Sequence, residues 1–133
     1  MDTSSFLHGQ FDDPRSANEQ VLQRYKAQLE DMHRSFFYKI NLRTIQVSNI
    51  DTWEKELRSI MEGMDRMRFY ADIDESIGSI DEVQAKIQKV LLNLYTASDI
   101  LTKKASVRER QMFYQFIMDC SALLQDAIDC FHV

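Results

Sequence analysis

Leu22, Tyr25, Leu29, Met32 and Phe36 follow one another at spacings of three and four residues, the period that gathers side chains on one face of an α-helix. Ser16 stands three residues ahead of Glu19. In that pairing the hydroxyl and the carboxylate can satisfy backbone N–H groups left open in a first helical turn. The pattern predicts a first helix starting at Ser16. Beyond Tyr38 the period blurs, because Ile40, Leu42, Ile45 and Val47 partly alternate and β-branched residues accumulate. A lone strand would have nothing to pair with, so the helix is expected to continue to Val47.

A second stripe runs through Trp53, Leu57, Ile60, Met64, Met67 and Ala71, with Asp51 and Glu54 as its start signal. Gly63 lies inside it and costs about 1 kcal/mol relative to alanine in a helix, a loss the surrounding stripe carries. The acidic segment DIDESIG, residues 72–78, is expected to end this helix and to form the longest internal loop. A third helix is predicted from Ser79, with Glu82 as its box partner and Val83, Ile87, Val90, Leu91, Leu94 and Leu101 as its stripe. A fourth starts at Ser106 with Glu109, and its stripe is Phe113, Phe116, Ile117, Cys120, Leu123, Leu124, Ala127 and Phe131. Lys103 and Lys104 sit where a helix C-terminus favours cations. The turn between the last two helices is therefore short and makes them an antiparallel hairpin.

Four amphipathic segments, each with a start signal, predict an all-α protein, an antiparallel four-helix bundle forming a single domain over residues 16–133. Residues 1–15 read as a flexible tail. Its Phe6, Leu7 and Phe11 leave open a second reading, a short segment that docks on this bundle or on a partner.

Composition narrows the picture. Only 3 of the 133 residues are glycine and 1 is proline. A β-sandwich needs a turn signal roughly every 8–12 residues, and phosphate-cradling loops need clustered glycines. Both are excluded. Net charge is −5, which disfavours nucleic acid as a partner. The basic set Lys86, Lys89, Lys103, Lys104, Arg108 and Arg110 keeps weak nucleic-acid association as a second alternative. No apolar run approaches the length of about 18 residues that a membrane helix requires, so no membrane partner is expected. The N-terminal MDTSSFLHGQF has no basic stretch followed by an apolar one and does not read as a secretory signal. Cys120 and Cys130 lie about 15 Å apart along one predicted helix, beyond disulfide reach. They read as reduced thiols, and the expected location is intracellular.

The candidate chemistry is sparse. Glu30 and His33 match the Glu-x-x-His element of carboxylate-bridged metal bundles, with Asp129 and His132 as a loose echo. The third helix offers no acid within its stripe to complete a site, so no metal and no cofactor is expected. Cys130 and His132, two residues apart, point to different faces of a helix. Cys120 sits in an apolar stripe, where a thiol behaves as a small hydrophobe. No catalytic residue is nominated. Lys39 falls where the first seam calls for an apolar residue. With Arg43 it frames an alternative function: a small helical enzyme or ligand binder that holds an anion with buried bases. The plainer reading lets Ile40 take over the seam while Lys39 snorkels to water.

The most informative feature is apolar surplus. Phe36, Phe37 and Tyr38 are consecutive, which spreads aromatic surface over some 200° of helix circumference. Phe69–Tyr70, Leu94–Tyr95 and Met112–Phe113–Tyr114 repeat the excess. One bundle stripe needs only about 100°. The surplus predicts a non-enzymatic protein–protein interaction module, an adaptor, chaperone or regulatory subunit. It would bury an aromatic and methionine-rich face against a protein partner or a second copy of itself. Phe37, Tyr38, Phe69, Tyr70, Tyr95 and Tyr114 are the expected anchors, because aromatics dominate binding hot spots.

Overall fold

The computed structural model describes residues 14–70 and 74–131, with side chains described over 19–41, 43–68 and 80–131. Four helices account for nearly all of it: α1 (Pro14–Leu42), α2 (Val47–Tyr70), α3 (Asp74–Thr102) and α4 (Val107–Asp129). Each packs beside its neighbours in sequence, and α1 closes the ring against α4. The result is the expected antiparallel four-helix bundle, without strands among the described residues. The tail residues 1–13 lie outside the described residues.

The seams read from spacing form the core. Leu22, Leu29, Met32 and Phe36 of α1, Trp53, Leu57, Ile60 and Met64 of α2, Val83, Ile87, Val90 and Leu94 of α3, and Phe113, Ile117, Cys120, Leu124 and Ala127 of α4 are all buried. Leu91, Leu101, Phe116, Leu123, Tyr25 and Met67 are partly buried around them. Ala71 lies outside the described residues. Gln84 is the one polar side chain that the described interior buries. Its amide N–H₂ donates to the Met61 carbonyl (3.2 Å) and to Asp65 Oδ1 (2.8 Å), while its carbonyl accepts from Arg68. Arg68 also pairs with Asp81, so one buried amide ties the end of α2 to the start of α3. Both its nitrogen and its oxygen have partners, so no buried polar atom of the amide is left unsatisfied.

The first helix begins at Pro14, so Ser16, the expected cap, and the last two residues of the expected tail lie inside it. Three further boundaries differ from the expectation. The first helix stops at Leu42 rather than Val47. The Thr44 N–H donates to the Lys39 carbonyl (3.2 Å) and the Arg43 N–H to the Ile40 carbonyl (3.1 Å), the paired closure of a Schellman motif. Arg43 holds the left-handed position with φ 53°, where glycine is usual. The β-branched residues that blurred the helical period have a different role: Ile45 and Ile50 are core residues that cap the bundle's end.

Accordingly α2 starts at Val47, four residues ahead of Asp51. Gln46 caps it: its carbonyl accepts from the Asn49 N–H (3.0 Å), and its own N–H donates to Asn49 Oδ1 (2.8 Å). Asn49 performs the back-reaching half of a capping box that sequence motifs assign to Glu or Gln. Glu54, expected as a box partner, instead lies within the helix and pairs with Arg58 at 3.4 Å.

The third boundary is the acidic segment. Residues 74–78 are helical and belong to α3, so the link from α2 is confined to residues 71–73, which lie outside the described residues. Asp74 and Glu75 fall in the first turn of α3. Gly78 consequently falls within α3 and not in a loop. The fourth helix starts as expected. The Glu109 N–H donates to Ser106 Oγ and the Ser106 N–H to Glu109 Oε1, each at 3.2 Å.

Gly63 is buried, and its neighbour is a side chain. A Cβ there would stand 1.9 Å from the Tyr25 hydroxyl oxygen and 2.7 Å from Tyr25 Cζ. The glycine in α2 makes room for the tyrosine ring of α1, not for another backbone.

Candidate interaction site

The turn between α3 and α4 builds the most distinctive surface. Ile100 and Leu101 from the end of α3, Ala105 from the turn, and Phe113 and Tyr114 from α4 line a groove of about 550 Å³. That size lies within the usual range for ligand pockets. Lys103, Lys104 and Arg110 stand on its edge. The capping box explains why it is open. By starting α4 at Val107, it leaves four residues, 103–106, to cross between the helices.

The cations are not equivalent. Lys103 is neutralised, with its Nζ 2.8 Å from Glu109 Oε2 and 3.8 Å from Asp99 Oδ2. The hydrogen bond and charge of Glu109 raise the Lys103 pKa. The Lys103 ammonium and the Ser106 N–H in turn hold the Glu109 carboxyl below its ordinary value. Lys104 and Arg110 have no acidic partner among the described residues. Arg43, from the end of α1, lies over the Tyr114 ring at 5.4 Å from its centroid. Cation–π geometry satisfies it without cancelling its charge.

Six bases, Lys39, Arg43, Lys103, Lys104, Arg108 and Arg110, thus gather at one end of the bundle against Asp51, Asp99 and Glu109, in a chain whose net charge is −5. The bundle is electrically polarised.

The expected anchors whose side chains are described do not form one face. Phe37 and Tyr38 are exposed (61% and 63%) on the last two turns of α1, at the same end as the groove. Tyr114 is partly buried within the groove. Tyr95 is 72% exposed and belongs to a different groove, between α2 and α3, with Met61, Leu91 and Leu92. The side chains of Phe69 and Tyr70 lie outside those described. Of the methionines, Met64 is core, while Met112 and Met118 are exposed on α4. The groove itself eluded the sequence pattern. The Lys103–Lys104 pair marks its position, but Ile100 and Leu101 read only as core.

The other nominated residues are scattered. Lys39 is half-buried and Arg43 exposed, and no charged side chain is buried among those described. Glu30 and His33 are half-buried on α1. No three His, Cys, Asp or Glu side chains converge among the described residues, and His132 lies outside them. Burial, reinforced by Asp119, pushes the Cys120 thiol up to about 12. Its Sγ instead donates to the Val90 carbonyl at 3.7 Å. Cys130 is also raised, by partial burial and by Glu82. Both cysteines are free. No described helix is long and apolar enough to cross a membrane. In the basic set weighed for nucleic acid, Lys86 is engaged by Asp126 at 3.8 Å and Lys103 by Glu109. Comparison with known proteins finds no matching family model, no matching curated protein and no matching solved structure.

Proposed function

We propose that this chain is a non-enzymatic protein-interaction module whose principal docking site is the groove at the α3–α4 turn. The ligand is an acidic, amphipathic segment of a protein partner. The observation that carries the reading is the coincidence of an apolar floor, Ile100, Leu101, Ala105, Phe113 and Tyr114, with a cationic rim from which Lys104, Arg110 and Arg43 face no acid. An apolar groove alone would accept any hydrophobic segment. The rim selects for carboxylates, since opposite charges steer the encounter and fix the register. Phe37 and Tyr38 extend the apolar surface at the same end. The closed core has no use for them, and aromatic side chains make good anchors because they bring large area at little entropic cost.

Display of a random peptide library against the immobilised chain tests this. Enriched sequences should combine Asp or Glu with Phe, Tyr or Leu, and their binding should weaken as salt rises. Lys104→Glu with Arg110→Glu should cost at least about tenfold in affinity, equivalent to about 1.4 kcal/mol. Enrichment without acidic residues, or binding unchanged in the charge-reversed variant, would refute the reading.

A further inference from the structure

The chain carries a segment with the chemistry this groove selects. Residues 1–13, MDTSSFLHGQFDD, hold Asp2, Asp12 and Asp13 and no lysine or arginine, and among these acids stand Phe6, Leu7 and Phe11. We propose that the groove of one chain is occupied by this segment of a second copy, with the exchange made in both directions. The proposal rests on the reading of the groove as a docking site and names its occupant.

Geometry rules out the same chain as donor. The segment joins α1 at Pro14, and the groove lies beyond the other end of that helix, next to Arg43. The 29 residues of α1 span about 43 Å at 1.5 Å per residue. Phe11 precedes Pro14 by three residues and Phe6 by eight. Fully extended at about 3.6 Å per residue, they reach roughly 11 Å and 29 Å from the helix start. Neither aromatic reaches its own groove.

An antiparallel second copy removes the difficulty. It sets each groove beside the other chain's α1 start, so both segments dock at short range. The arrangement is two-fold symmetric and closes on itself. Two equivalent dockings in one dimer reinforce each other, because the second occurs at high effective concentration. Charge favours the same pairing, since the carboxylates of one copy meet Lys104, Arg110 and Arg43 of the other.

Sedimentation of the full chain tests this. The wild type should run as a dimer that dissociates as salt rises. Phe6→Ser with Phe11→Ser, substitutions ahead of the first helix in the chain, should yield a monomer with unchanged helical content. Asp2→Lys with Asp12→Lys should also be monomeric, because the segment then meets a groove of its own sign. Lys104→Glu with Arg110→Glu should be monomeric for the converse reason. Mixing these two charge-reversed proteins should restore a 1:1 heterodimer, since each segment then faces a groove of opposite charge. A monomeric wild type, a dimer that survives the phenylalanine substitutions, or a mixture that stays monomeric would each overturn the proposal. A monomeric wild type that still selects acidic aromatic peptides would remove the second copy as occupant and leave the docking function standing. One that selects none would remove both.

Discussion

The two hairpins of this bundle are held together differently. Among adjacent helices, the backbones of α3 and α4 approach each other most closely and those of α1 and α2 least. In the first case, aliphatic side chains at regular spacing interlock and a capping box fixes the turn. In the second, large rings fill the gap. Phe36 and Trp53 meet edge-to-face with centroids 4.0 Å apart, and Tyr25 lies over Gly63. The outer side of the α1–α2 seam is correspondingly grooved, with Asp31, Glu56, Ser35 and Thr52 along it. A hairpin governed by local signals can present a defined groove at its turn. A seam held by ring shape depends on individual side chains.

That contrast can be tested by substitution. The largest effect should come from Phe36→Ala, which removes a fully buried ring at the seam whose two backbones approach each other least. A loss of about 3–5 kcal/mol is expected in urea unfolding. Leu94→Ala in α3 should cost less, within about 2–5 kcal/mol for a buried leucine. If Leu94→Ala costs more, the distinction between the halves fails.

Gly63→Ala comes next. Alanine improves helix propensity by about 1 kcal/mol, so any net destabilisation measures the collision with Tyr25. We expect a net loss of about 1–3 kcal/mol, typical of overpacking. The double variant with Tyr25→Ala should be more stable than the sum of the singles, by about 1 kcal/mol or more in a double-mutant cycle. Strict additivity would show that the glycine is not there for the ring.

Ser106→Ala probes the other hairpin. Loss of the N-cap hydroxyl should cost about 1 kcal/mol and loosen the turn that frames the groove, read as faster amide exchange at Glu109. At the α1 end, Arg43→Gly should be mildly stabilising. Relief of the left-handed conformation is worth about 1–2 kcal/mol, and the lost contact over Tyr114 returns about 0.5–1 kcal/mol of it.

The smallest effect concerns pH. The Glu109 carboxyl is held below its ordinary value of 4.5 in the fold. Its contribution is complete above 4.5 and disappears as pH falls through the lowered value. The Lys103 ammonium is raised above 10.5, so its contribution is complete below that value and is lost as pH rises through the raised one. NMR titration should place the Glu109 midpoint higher in a Lys103→Ala variant. An unchanged midpoint would deny the pair its role.

Periodicity and capping chemistry were enough to predict four helices, their order, most of the core and the start of α4 at Ser106. These are local properties: the 3.6-residue repeat and the Ser106–Glu109 box act within a single segment. The misplaced boundaries have non-local or unusual causes. Arg43 takes a conformation that favours glycine, Asn49 substitutes for Glu in a cap, and Ile45 and Ile50 belong to the core rather than to a continuing helix. Exposure was similarly divided. Helical register separated Phe37 and Tyr38 from the core seam. Only packing sent Tyr95 to one groove and Tyr114 to another. The residues that line the cationic groove all lie between Ile100 and Tyr114, and Arg43 alone is brought to it from a distant part of the chain. That one addition is a product of helix packing, because α1 must lie against α4 before Arg43 can stand over Tyr114.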